Sequence, residues 1–303
     1  MPWLTKSERA AQSAQGPSFG TKILTFGQRD LNDITMIAKL IDVWNVETFD
    51  EDLTGELRAH AELVRNYMMT DRRLYLEREA SDHTMPYPTN PYALDYMEFV
   101  EKVGHDMEAR TIRAWHYTRL MDAEIDTIRG NGIYPSTLET VRRRLDIQVA
   151  AGVFSADVAD ALFAASPFNF NSQQLESRSN KFWMTSHPRR VIDDSGVTLL
   201  LGNWGGESVY FWLRDAALQK LVASMGVPRV LEIAVPLDAT RHAYSAGRAV
   251  VASFGQTLGC NPDSEAFDLY SIRALGSEAV LAVHSEGEPH FAALARGYPS
   301  AYT

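Results

Sequence analysis

From residue 181 onward the chain carries six short runs of β-branched and aromatic residues, whereas before residue 108 every apolar pattern has helical spacing. That switch restricts the chain to an α+β architecture, helical at the start and mixed later. Ile34, Ile37, Ile41 and Trp44 predict a helix over Asn32 to Trp44, with Asn32 or Asp33 as its cap. Asp50 to Ala80 reads as one long helix or two shorter ones. Pro86, Pro88 and Pro91 make His83 to Pro91 a non-helical connection, followed by a helix from Tyr92 to Glu108. The pattern divides the chain into an N-terminal helical extension, 1–108, and a second domain, 109–303.

In that second domain, Ile112 to Tyr117 is a strand-like run. A short helix, Asp122 to Arg129, is stopped by Gly130 and Gly132. Ser136 and Glu139 form a capping-box pattern for a helix reaching Ala151. Ser155 to Ala165 and Asp215 to Met225 read as helices, and Asn169 to Asn180 as a loop. The predicted strands are Lys181–Thr185, Val197–Leu201, Ser208–Trp212, Arg229–Val235, Phe267–Ile272 and Ala279–Val283.

The 303 residues carry 29 basic and 39 acidic side chains, a net charge of −10, which argues against a broad nucleic-acid-coating surface. There is no long apolar run for a membrane span and no apolar signal core, so the sequence reads as cytoplasmic, in the producing or a target cell. One cysteine, Cys260, excludes an intramolecular disulfide or a cysteine zinc cluster. Glycine-rich dinucleotide, P-loop, zincin and nucleophile-elbow motifs are all missing. His284, Glu286, Glu288 and His290 alternate, but Gly287 and Pro289 break a strand there, so no metal site is expected.

Three segments remain. Ala114-Trp115-His116-Tyr117-Thr118 ends a strand and leads through a short helix to Gly132-Ile133. Trp204-Gly205-Gly206-Glu207-Ser208-Val209-Tyr210-Phe211-Trp212 joins a glycine turn to an aromatic run. Glu278 opens the apolar run Ala279-Val280-Leu281-Ala282-Val283. Each has a plain packing explanation: a hydrogen-bonded core histidine, a core tyrosine, a solvated or paired carboxylate. In this order the three resemble the His-Tyr-Glu class of ADP-ribosyltransferases, which includes poly(ADP-ribose) polymerases, diphthamide-modifying toxins and DNA-targeting toxins. The resemblance covers residues 111–285.

The resemblance implies a mixed, split β-sheet core and NAD as the substrate, cleaved at its nicotinamide–ribose bond. It implies that Glu278 stabilises an oxocarbenium-like state and polarises the acceptor. His116 and Thr118 would hold the adenosine ribose, the Tyr117 backbone the carboxamide, and Tyr210 would stack on nicotinamide. The implied activity is transfer of single ADP-ribose units to a macromolecule, as in toxins and defence effectors, with an antitoxin or immunity protein as a partner. The charge favours a protein acceptor over RNA or DNA. Arg142-Arg143-Arg144 lie in the insertion between His116 and Tyr210 and read as acceptor contacts or as a solvated helix face.

The sequence departs from the family in two places. Tyr210 follows His116 by 94 residues, a long interval, and Leu221 stands where a polymerase has its second stacking Tyr. A rival alignment to the Arg-Ser-Glu class uses Arg113, Thr185-Ser186 and Glu286-Gly287-Glu288. Two other functions stay open: an RNA 2′-phosphotransferase relying on Arg113 and Arg119, and a degenerate NAD-fold module that binds a partner.

Overall fold

The computed structural model describes residues 39–80, 89–169, 172–188, 195–262 and 266–294. The described residues belong to one compact unit. Two helices, α1 (Glu51–Ala59) and α2 (Ala61–Glu79), break at His60, and α3 (Ala93–Met107) follows. Asp50 caps α1, its carboxylate accepting from the Leu53 N–H at 2.8 Å. Next come β1 (Thr111–Leu120), α4 (Asp122–Asn131), α5 (Leu138–Ala150), α6 (Ala156–Ala164) and α7 (Ser172–Arg178). They are followed by β2 (Phe182–Thr185), α8 (Ser195–Gly202), α9 (Glu207–Tyr210), α10 (Ala216–Ser224) and β3 (Val227–Pro236). The described chain ends with α11 (Ala243–Thr257), β4 (Asp268–Ser271), β5 (Val280–Ser285) and α12 (Pro289–Leu294).

The five strands form one sheet in the order β4-β2-β1-β3-β5. The α+β class stands, but every strand pair is antiparallel where a mixed sheet was expected. β1 and β3 pair along their full length, from Thr111↔Pro236 to Leu120↔Val227. β1 and β2 register at one pair alone, Trp115↔Thr185, so the sheet loosens beside His116.

Alternation along β1 sorts its side chains to two faces. Ile112 and Ala114 point with Leu231, Ile233 and Val235 of β3 into the main core, shared with Leu53, Val64, Val103, Met107 and Val250 of the helices. Trp115 and Tyr117 point the other way, against Val197 and Leu201 of α8 and Phe291 of α12. The boundary drawn at residue 108 therefore lies inside one core, and α1–α3 are a layer of the fold rather than an appendage. The layer is tight because α3 and α11 meet at Gly104 and Gly247. A Cβ on Gly247 would lie 2.6 Å from the Gly104 nitrogen. A third cluster joins α5, α6 and α10 around Trp204, Val209 and Leu213.

Several expectations need correcting. Val197–Leu201 lies in helix α8 and Ser208–Tyr210 in α9, not in strands. A five-residue apolar run fits either structure, and here Val197 and Leu201, four apart, pack as one helix face on β1. The stretch expected to be a loop holds α7, and α11 went unforeseen. The α5 box is Thr137–Thr140 (Thr140 N–H to Thr137 Oγ1, 3.0 Å), because Ser136 bridges to Lys181. Of the helix expected over Asn32–Trp44, residues 32–38 lie outside the described chain. Ile41 instead bridges to Ile112 of β1, and residues 42–44 are non-helical. Arg189-Arg190, a second basic pair that would extend the Arg142–Arg144 run, lies outside the described residues, as do Pro86 and Pro88.

Candidate functional site

Where the main core ends, the same face of the sheet continues as the floor of a cavity of about 400 Å³, carrying His116, Thr118, Leu120 and Leu231. Its walls are α4 with Ile133 and Tyr134, α5, the Gly205–Val209 turn, and the stretch from Arg178 to Trp183. This volume lies within the range of small-molecule sites. His116 and Thr118 reach the floor together because they are two apart on one strand.

The imidazole of His116 packs against Phe182 with ring centres 4.4 Å apart. Its Nδ1 donates to the Trp183 carbonyl at 2.8 Å, since a carbonyl can only accept. Burial pulls its pKa down to about 4, against the opposing effect of the Trp183 bond, with the Arg144 charge lowering it further. The ring is therefore neutral at pH 7, and Nε2 carries a lone pair. A ribose hydroxyl here would donate to Nε2.

The glycine turn reaches the cavity through close packing. Gly205 has φ 93° and Gly206 φ 66°, and a Cβ on Gly205 would meet the Val209 side chain at 2.5 Å. That fold-back starts α9 and brings Glu207 and Ser208 to the cavity wall. Also in the lining, Gly132 has φ 82°, and a Cβ there would meet the Leu275 carbonyl at 2.1 Å. Ile133 bridges to Leu275 beside it.

Of the other sequence-predicted residues, Tyr210 is not part of the cavity lining. It packs half-buried on the Trp204 cluster, where burial raises its phenol pKa. Tyr117 points to the opposite face, its hydroxyl donating to the Leu294 carbonyl at 3.3 Å. Glu278 is exposed in a 3₁₀ turn, its carboxylate folded over Gly276, and it does not line the cavity.

The three arginines of α5 have separate fates. Arg142 is engaged by Asp146 and Asp160 and does not line the cavity. Arg144 pairs with Glu124 and lies 4.6 Å from the Trp204 ring centre. Glu124 also accepts from Trp204 Nε1 and the Met121 N–H, both at 2.8 Å, so this network fastens α4, α5 and the glycine turn together. Arg143 lines the cavity, is exposed, and has no carboxylate partner among the described residues.

The sequence reading missed Glu207, Arg178 and Lys181, which line the cavity. Glu207 Oε2 takes Arg178 Nε at 2.8 Å, and Oε1 has no hydrogen-bond partner among the described residues. Proximity of Glu207 to the glycine turn was the available signal. The rival alignment does not gather at this cavity. Arg113 pairs with Glu232 at 3.1 Å, and buried Ser186 accepts from the Phe267 N–H at 3.1 Å. Arg119 is spent on the Met225 and Leu201 carbonyls. His284 pairs with Glu232 at 3.1 Å, and the described residues contain no cluster suited to a metal ion.

No family model, curated protein or solved structure matches this chain. Within the described residues no helix is long and apolar enough to cross a membrane.

Proposed function

We propose that the chain is a mono-ADP-ribosyltransferase that takes NAD into the cavity over His116 and Thr118 and passes ADP-ribose to a macromolecular acceptor. One observation carries the reading: His116 and Thr118 share a cavity with the Gly205–Ser208 turn and the Gly132–Ile133 segment, although these lie far apart in sequence.

The residues present suit such a substrate. Arg143, Arg178 and Lys181 supply positive charge for a diphosphate. Phe182, Trp183 and Tyr134 offer flat faces for its rings. Neutral His116 accepts from a ribose hydroxyl at Nε2. The reaction breaks the bond between nicotinamide and the ribose C1′ and forms one from C1′ to the acceptor, whose proton is released. A carboxylate near C1′ stabilises the developing positive charge. Within the cavity, the carboxylate with an uncommitted oxygen is that of Glu207. Glu124 has both oxygens occupied.

The test is incubation of the full chain with NAD labelled on its adenylate phosphate, in a cell lysate, followed by protease or nuclease digestion. Label released by one of the two digestions supports transfer and identifies the acceptor class. Intact NAD, with no NAD-induced thermal shift in a folded protein, overturns the reading in favour of a non-enzymatic module.

A further inference from the structure

A second, larger cavity of about 760 Å³ opens among α2, α3 and α11, and no residue lines both cavities. Tyr67 and Tyr96 stack there with ring centres 3.7 Å apart and planes within 7°. Tyr75 and Tyr244 stand 45% and 47% exposed in the lining. Two guanidiniums, Arg72 and Arg248, complete it. Neither has a carboxylate within ion-pair distance among the described residues, in a chain with ten more acids than bases. Arg72 lies 5.5 Å from the Tyr75 ring centre. Among the described residues the single carboxylate of the lining is Asp71, and it and Arg248 both act on the Tyr96 phenol, with opposite sign.

We propose that this cavity is a second ligand site, for a nucleoside polyphosphate. Flat aromatic side chains suit a base, and two guanidiniums with no carboxylate partner among the described residues suit a phosphate chain, where charge-assisted hydrogen bonds are strongest. Asp71 can accept from a ribose hydroxyl or an exocyclic amine. The volume admits a ligand of nucleotide size. An apolar occupant would leave both guanidiniums unpaired under it, which is costly. The inference does not rest on the NAD reading, because it uses none of the residues of the first cavity.

Calorimetric titration of the full chain with ATP tests it, in a His116→Ala/Arg143→Glu background that disables the first cavity. The expected result is one ATP per chain, with adenosine and inorganic triphosphate each binding at least about tenfold more weakly. Adding Arg72→Glu and Arg248→Glu should weaken ATP by about 100-fold, since two charged hydrogen-bonding partners are lost. Both side chains are exposed, so the fold should survive. Should circular dichroism show otherwise, Arg72→Gln/Arg248→Gln replaces the pair. No heat at millimolar ATP, or undiminished binding in the folded arginine variants, overturns the proposal. Loss of ATP binding on disabling the first cavity alone would place the nucleotide there, and overturns it equally. That last outcome leaves the NAD reading intact.

Discussion

His116 on β1 and Trp183 on β2 are joined by one hydrogen bond, imidazole Nδ1 to main-chain carbonyl at 2.8 Å, where the ladder between their strands consists of a single registered pair. The bond sets the tautomer and leaves Nε2 as an acceptor. With the pKa held at about 4 against an ordinary 6.5, the imidazole stays neutral through the physiological range. An NMR titration of the His116 ring should give a midpoint near 4. The group's folded pKa is depressed, so its contribution to stability is present above pH 6.5 and is lost as pH falls from 6.5 toward 4. A midpoint near 6.5 would show that burial does not hold the ring neutral.

Glu207 and Glu278 compete for the role of the reacting carboxylate. Glu207→Gln keeps the shape and removes the charge in the cavity, and NAD turnover should fall by about 100-fold or more. Glu278→Gln, altering an exposed side chain outside the lining, should change turnover by less than about threefold. The reverse ranking in a steady-state assay would mean that the Gly276–Ala279 turn swings Glu278 into the site.

The arginine triplet separates into three tests. Arg143→Glu should weaken NAD binding by about tenfold or more, because it reverses an unpaired charge in the cavity lining. Arg142→Glu should leave NAD binding unchanged, since its guanidinium is engaged outside the cavity by Asp146 and Asp160. Arg144→Ala should lower the melting temperature, because half-buried Glu124 loses its counter-charge and Trp204 its cation. Equal effects of all three on NAD affinity would show a diffuse basic face instead.

Stability can be probed at two helical glycines. Gly247→Ala places a methyl 2.6 Å from the Gly104 nitrogen and 2.7 Å from its Cα, so the α3–α11 crossing must part. A loss of about 1–3 kcal/mol is expected in chemical denaturation. Gly55→Ala on α1 meets nothing within 4 Å, and should stabilise by about 0.5–1 kcal/mol through helix propensity. A neutral Gly247→Ala would mean that the two helices slide apart at little cost.

Much of this fold is written in local pattern. β1, β3 and β5 follow from apolar runs bounded by turn residues, and α6 and α10 from Ser155 and Asp215, which cap them as their positions predict. The pairing of His116 with Thr118 in one site was also legible, because residues two apart on a strand must share a face. These are short-range consequences of side-chain period and capping chemistry, which need no knowledge of the rest of the chain.

Packing between distant segments decided what pattern left open. The runs around Val197 and Val209 carry no period that separates helix from strand. Contact with Trp115 and Tyr117 in one case, and with Gly205 in the other, settled them as helical. Glu278 opens its apolar run as expected, but the 3₁₀ turn folds its carboxylate over Gly276, and a turn's direction is set by what it packs against. Glu207 entered the site, and Arg142 stayed out of it, because of where α5 and the glycine turn meet the sheet. The cavity with Arg72 and Arg248 has no motif at all. Its lining comes from segments as far apart as Trp44 and Phe267, brought together when α2, α3 and α11 bury their apolar faces on one core.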